Sequence, residues 1–364
     1  MKLLHCADLH LDSSLSMNFT EGSGRERRAE LLNNFARLTD YANDHEIFHI
    51  LIAGDLFDRA NVSRTASDIV FGCMRSNPHI SFYWLKGNHD GTCVYEADMP
   101  DNLYTFKDEW TSYELLKTGN RSIMLYGVCL NLKNSVIVQQ SFTANPANIN
   151  IVTLHGNIYD SIGNPGPDVI NLRCFKNKNV SYMALGHIHE YRTGILEGNV
   201  KYCYPGCLEA RGFDEPGEHG FAVLDIDEDT GQVTDTFVPF ARRHVFELRV
   251  DVTGASDTGE VYRRVSEEIS LTKATSCDFI KIILKGSADA ENDLDTEYIK
   301  KAIEGRFAAV RTDDETKVYI DPARYRYDNT LKGEFVRLIS EEDLSEADKG
   351  EIIKIGIRAL KGEL

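Results

Sequence analysis

Short apolar runs punctuate the first half of the chain, each ending in a glycine or a turn-forming block. They span residues 2–7, 49–53, 81–85, 149–154 and 182–185. Apolar runs this short, bounded by turn residues, are the pattern of strands buried on both faces. Beyond Arg242 the pattern changes. Residues 245–252 alternate apolar and polar after their first pair, which predicts a half-buried strand. Residues 260–269 place Val261, Val265 and Ile269 four apart, on one helix face. A strand follows at 279–284, then a helix at 297–307 with Ile299, Ala302, Ile303 and Phe307 facing inward. Residues 308–310 and 317–320 read as closing strands, so this segment predicts a small split βαβ sheet.

From Arg326 the chain reads as helical. Residues 331–339 carry Phe335, Leu338 and Ile339 on one side. Ser345-Glu346-Ala347-Asp348 is a capping box opening a last helix with Ile352, Ile353, Ile357 and Leu360. So many large aliphatics on a short helix predict burial, against the preceding domain or in a partner's groove. A chain of 364 residues is too long for one compact core. The pattern divides it into a first domain over 1–240, a second over 241–325 and a helical tail over 326–364.

The blocks that end the apolar runs carry the chemistry. They are Asp8-Leu9-His10, Gly54-Asp55-Leu56-Phe57-Asp58, Gly87-Asn88-His89-Asp90, His155-Gly156 and Gly186-His187-Ile188-His189. Together they offer enough hard oxygen and imidazole ligands for two divalent ions side by side. Two such ions clamp a phosphate and activate a water. Ligands gathered at strand ends from distant parts of a chain are how layered α/β folds build sites. Asp55 is the carboxylate suited to bridge the ions. Asp8, His10 and His189 complete one, and Asn88, His155 and His187 the other. Mixed oxygen and imidazole donors suit manganese, iron or zinc. His89 is left over, beside the metals, as general acid or cation at the leaving oxygen. Asp90 is then placed to hold the His89 ring, with Asp58 as further support. A lone Asp-x-His or Gly-Asp is common in strand-end turns; five such blocks in order are not. His5, His45, His49, His79, His219 and His244 fit no ligand pattern and read as ordinary residues.

These blocks resemble the calcineurin-like metallophosphoesterases. Gly54–Asp58 with Gly87–Asp90 looks like the DNA-repair exonuclease branch, the SbcD-type nuclease subunits. So does Tyr204-Pro205-Gly206 followed by Arg211, Glu215-Pro216-Gly217 and Gly220-Phe221. Cys207 departs from the branch, which often has serine there, without touching a metal ligand. The resemblance is strong over residues 1–240 and extends to the rest by layout only. It implies a four-layer α/β fold, a β-sandwich flanked by helices, with a small α+β capping domain and a helical C-terminal tail. It also implies a two-metal, manganese-dependent phosphodiesterase acting on DNA ends in repair. Such an enzyme is an exonuclease, with endonuclease action on single strands in view. It would work as a cytoplasmic homodimer with an SbcC-like coiled-coil ATPase. The competing reading is a phosphatase or small-molecule phosphodiesterase on the same core. Gly54–Arg59 partly matches the Gly-Asp-x-x-Asp-Arg-Gly of protein phosphatases, but Ala60 replaces the glycine and Asp90 the usual glutamate.

Composition qualifies this picture. At 42% hydrophobic and 27% charged the chain is an ordinary globular one. It has no apolar run of 18 residues, so no membrane span is expected, and no stretch near the N-terminus reads as a signal peptide. Eight scattered cysteines without a CxxC pair predict free thiols. The net charge of −17 runs against the basic footprint usual in DNA binding. Residues 1–240 hold 19 Lys+Arg against 31 Asp+Glu, so most of the excess lies in the first domain. Either basic residues cluster locally, with Arg25, Arg27, Arg28, Arg242 and Arg243 as candidates, or a partner supplies phosphate contacts.

Overall fold

The N-terminal apolar run becomes β1 (Lys2–Cys6), next to the centre of a six-stranded sheet. In the computed structural model, residues 14, 16–20, 59–61, 91–97, 120, 132, 160–167, 197–199, 290–293, 320–321 and 362–364 are left undescribed; all others are described. Two compact units result, Met1–Arg242 and Arg243–Leu364.

In the first unit β1 is followed by α1 (Glu21–Asp44), β2 (His49–Ala53), α2 (Arg64–Ser76), β3 (Ser81–Leu85) and β4 (Leu103–Thr105). Next come β5 (Thr111–Thr118), β6 (Arg121–Gly127), α3 (Ser135–Gln140), β7 (Ile149–His155), β8 (Asn157–Ile158) and β9 (Val169–Ile170). The unit closes with β10 (Tyr182–Gly186), β11 (Arg192–Ile195), β12 (Lys201–Tyr204), β13 (Gly220–Ile226) and β14 (Val233–Pro239). One sheet has the order β14-β13-β1-β2-β3-β4 and the other β11-β12-β10-β7-β6-β5. Strands β1, β2 and β3 run parallel, as do β7 and β10.

The inner faces meet through Leu3, Leu51 and Leu85 from one sheet and Leu125, Ile151, Tyr182 and Ala184 from the other. The first sheet's outer face, with Leu4, Ile50, Ile52 and Phe82, is covered by Phe35, Leu38, Phe71 and Met74 of α1 and α2. On the second sheet Val152, Leu154, Met183 and Leu185 pack under Val138, Phe142 and Phe175. Both faces of these strands are buried, which is why their sequences read as unbroken apolar runs. Strands β5 and β11 are half exposed and carry no such run.

In the second unit β15 (Val245–Asp251), α4 (Thr258–Ser270), β16 (Phe279–Lys285), β17 (Ser287–Asp289), α5 (Thr296–Glu304), β18 (Ala309–Asp314) and β19 (Lys317–Tyr319) follow in turn. The sheet β15-β16-β18 is parallel throughout and its order follows the chain, with β17 set aside to pair with β19, so it is not split. Val261, Val265, Ile269, Ile299 and Ile303 are buried on it. Each such side chain contributes about 1.5–3 kcal/mol relative to exposure. Ala302 faces solvent, and α5 ends before Phe307, which packs on the core only from the following loop. The helix gives out at Gly305, the weakest helix former in the segment, which keeps a right-handed backbone at the C-cap. Ile320 lies outside the described residues.

The chain ends with α6 (Pro322–Tyr325), α7 (Leu331–Glu341) and α8 (Glu346–Lys361). Ser345 caps α8, its hydroxyl accepting from the Asp348 N–H at 3.1 Å. Tyr325, Val336, Ile353 and Ile357 form a small core with Val318 of β19. Leu338, Ile352, Ile355 and Leu360 remain exposed.

Candidate metal centre

Five strand ends meet at one place. The backbone after β1 runs beside that after β2: the Asp8 N–H donates to Gly54 O, His10 to Asp55 O and Leu11 to Leu56 O. Asp8, His10, Asp55 and His187 all have positive φ, at 53°, 45°, 50° and 105°. This region is disfavoured for residues with a Cβ, and Asp and His are among those that tolerate it best. Strained backbone at all four is a mark of sites held by their surroundings. Gly54 also has positive φ, and a Cβ there would collide with the His155 ring. At Gly87 a Cβ would collide with the Asp55 carboxylate.

Side chains from all five blocks converge. The Nε2 atoms of His10 and His189 lie 3.1 Å apart, and Asp8, His10 and His189 offer ligand atoms within 4.8 Å of one another. Asp8, Asp55 and His155 form a second such group. Asn88 Oδ1 lies 3.0 Å from His155 Nε2 and 3.3 Å from His187 Nδ1. Asp55 Oδ2 is 3.3 Å from His155 Nε2 and 3.7 Å from His10 Nε2, between the two sets.

The second ring nitrogens are engaged by fixed partners. His155 Nδ1 lies 2.9 Å from Ala53 O, His10 Nδ1 2.9 Å from Asp58 Oδ1 and His189 Nδ1 2.7 Å from Glu215 Oε1. These contacts aim each Nε2 into the cluster, as metal-ligating histidines require. With carboxylates on both Nδ1 atoms, the His10 and His189 Nε2 atoms, 3.1 Å apart, are free to present lone pairs to one shared cation. The donor set therefore fits a pair of divalent ions.

Electrostatics agree with that fit. Burial alone would raise the Asp55 carboxyl, but His155, His10 and the His89 N–H hold it well below the usual carboxylate range. Burial likewise opposes charge on His155, yet Asp55 and Asp8 push its pKa up to about 9. His155 must give up that proton to ligate a cation. Burial lowers His10 and His187.

His89 sits beside the cluster, with a half-exposed ring edge-on to His10 at 4.9 Å. Its backbone N–H donates to Asp55 Oδ1 at 2.9 Å, and its Nδ1 lies 3.4 Å from Asp58 Oδ1. The carboxylate beside the His89 ring is therefore Asp58, not Asp90. Asp90 instead accepts from the N–H groups of Gly87, Phe57 and Leu56 and from the Trp84 indole, so it braces the loop backbone. Burial pushes its carboxyl up to about 6.

The stretch after β12 supports the site. The buried Tyr204 hydroxyl donates to Gly156 O at 2.8 Å, and the Cys207 N–H to His189 O at 3.0 Å. His219 is buried with Nε2 2.9 Å from Glu215 O. Glu215 contacts His189, and Arg211 contacts both His189 and Asp58, roles that their positions in the sequence alone did not disclose. Their trace in the sequence is membership of the Tyr204–Phe221 stretch, where nothing assigns them a contact. Arg27 is buried in an ion pair with Glu209, so it does not offer a surface for DNA. Arg59 and Ala60 lie outside the described residues. The described cysteines are free thiols.

Residues 1–191 match the family of calcineurin-like phosphoesterases, and the chain belongs to that family. It is 27% identical over 344 residues to the uncharacterized metallophosphoesterase YhaO of Bacillus subtilis, covering 87% of this chain and 82% of that protein. The DNA double-strand break repair protein Mre11 of Sulfolobus acidocaldarius is 23% identical over 309 residues, covering 81% and 77%. The SbcD component of the SbcCD nuclease of Rhodobacter capsulatus is 32% identical, over 101 residues that cover 27% of this chain and 23% of that one. The first unit is thus a metallophosphoesterase core with nuclease relatives. Among the described residues no helix is long and apolar enough to cross a membrane.

Proposed function

We propose that this chain hydrolyses DNA phosphodiester bonds from strand ends, using two divalent ions, with manganese preferred, in DNA repair. The observation that carries the reading is a cluster of candidate ligands, buried at Asp8, His10, Asp55 and His155, with an exposed histidine, His89, held at its side by Asp58. Asp8, His10 and His189 would hold one ion, Asn88, His155 and His187 the other, and Asp55 both. When bound, such a pair supplies Lewis-acid clamping of a phosphate and an acidified water. His89 then faces the leaving oxygen and delivers a proton or positive charge to it. Similarity to Mre11 and SbcD proteins supports DNA over a phosphomonoester as substrate.

End-labelled linear duplex incubated with the purified protein is expected to lose label in a manganese-stimulated manner. Hydrolysis of phosphomonoesters, but never of DNA, would sink the proposal.

The tail carries the partner proposal, an SbcC-like coiled-coil ATPase. Leu338 is 55% exposed on α7 and Ile355 54% exposed on α8, with Ile352 and Leu360 nearby in sequence. Exposed aliphatics on adjacent helices suit helix-in-groove docking. Ile352→Glu with Ile355→Glu leaves the buried Ile353 and Ile357 in place and is expected to abolish recovery of such an ATPase in a pull-down. Recovery equal to the parent would show that α8 is not the docking element.

A further inference from the structure

We propose that Glu215 and Arg211 are a positioning pair that fixes the tautomer of His189 and ties it to Asp58, the carboxylate beside His89. The inference rests on the metal-centre reading above. Glu215 Oε1 lies 2.7 Å from His189 Nδ1, and the carboxylate is itself fixed. Its Oε2 accepts from the Arg211 N–H at 2.7 Å, and its Oε1 from the Arg211 guanidinium at 2.9 and 3.2 Å. The loop that carries it is closed by His219, whose Nε2 lies 2.9 Å from Glu215 O.

A carboxylate can only accept, so the shortest contact to the ring places the His189 proton on Nδ1. That leaves the Nε2 lone pair directed at His10 Nε2, 3.1 Å away, where one ion belongs. Arg211 Nη2 also lies 3.1 Å from His189 Nδ1, but a guanidinium only donates and cannot share that nitrogen with a proton. The guanidinium is instead spent on two carboxylates: its Nη1 reaches Asp58 Oδ1 at 3.2 Å. Asp58 Oδ1 in turn meets His10 Nδ1 at 2.9 Å and His89 Nδ1 at 3.4 Å. One arginine therefore links the support of two ligands to the support of the extra histidine. Donation from Nε and Nη2 to one carboxylate oxygen and from Nη1 to a second carboxylate needs the planar guanidinium and is not reproduced by lysine.

The test uses full-length protein freed of metal, titrated with manganese by calorimetry, and 15N spectra of its histidines. Wild type is expected to bind two ions and to show His189 protonated on Nδ1. Glu215→Gln keeps the shape but replaces one acceptor oxygen with a donor. It is expected to weaken one of the two ions by about 10–100-fold, leave the other near wild type and mix the His189 tautomers. Should Glu215→Gln fail to fold, Arg211→Met reads the same network by both measurements. Wild-type affinities for both ions in the variant, or a His189 protonated on Nε2 in the wild type, would overturn the inference. A wild type that binds no divalent ion overturns the metal-centre reading, and the inference with it.

Discussion

His89→Gln is expected to lower DNA hydrolysis by about 10²–10⁴-fold, the range for loss of a positioned general acid or base, with bound metal unchanged. The ring is 45% exposed at its side chain and stands edge-on to His10, so glutamine has room to enter without displacing a buried group. Besides that edge-on ring contact, His89 meets the ligand cluster through its backbone N–H to Asp55 Oδ1, which glutamine retains. What disappears is an ionisable ring beside Asp58. A glutamine amide can donate a hydrogen bond, but it cannot deliver a proton to a leaving oxygen. The predicted signature is a loss in the chemical step at intact metal content, measured by single-turnover rates and elemental analysis of the same sample. An unchanged rate would remove His89 from the mechanism while leaving the hydrolase class intact. A loss of metal in parallel with rate would make it a ligand instead.

The strands and the polar blocks at their ends were legible in the sequence because one physical condition produces both. A strand buried on each face must be apolar along its length, so the polar residues at its end stand out. That holds for β1, β2, β3, β7 and β10, whose ends bring together Asp8, Asp55, Asn88, His155 and His187. The supports were less legible because contacts far apart in the chain determine them. Asp90 follows His89 directly, which suggested that it holds that ring. The turn at Gly87 instead points its carboxylate at the N–H groups of residues 56, 57 and 87. Asp58 takes the place beside His89 across a separation of 31 residues, and Arg211 reaches Asp58 across 153. In the second unit Phe307 fits the helical period of α5 but the helix gives out at Gly305 before it, low helix propensity overriding periodicity. Arg27 reads as one of three surface arginines near the start of α1, and its burial becomes visible only once Glu209 is placed opposite it.

That buried pair yields the largest expected change in stability. Glu209→Ala is expected to cost about 3–5 kcal/mol, the range for breaking one side of a buried ion pair. Arg27 and Glu209 are 3% and 1% exposed at their side chains, and Arg27 Nη2 donates to Glu209 Oε1 at 2.8 Å. Glu209 also accepts from the Asn34 amide at 2.5 Å and from the Arg242 N–H at 2.9 Å. Its removal leaves a guanidinium and two further donors without that acceptor inside the first unit. Arg27 keeps Glu30 and the Ala210 carbonyl, which places the expected loss toward the lower end of the range. Replacing both members of the pair, Arg27→Met with Glu209→Leu, removes the unbalanced charge but leaves the buried Asn34 amide without its acceptor, while the exposed Arg242 can turn to water. Each buried unsatisfied donor costs about 1–3 kcal/mol, so the double variant should recover only part of the loss. Both tryptophans, Trp84 and Trp110, lie in the first unit, so their fluorescence during urea unfolding reports on it selectively. A Glu209→Ala transition within about 1 kcal/mol of wild type would mean that water reaches Arg27. In that case the Arg27 bond to the Ala210 carbonyl, with apolar packing, would suffice to hold α1 to the Cys207–Glu215 loop.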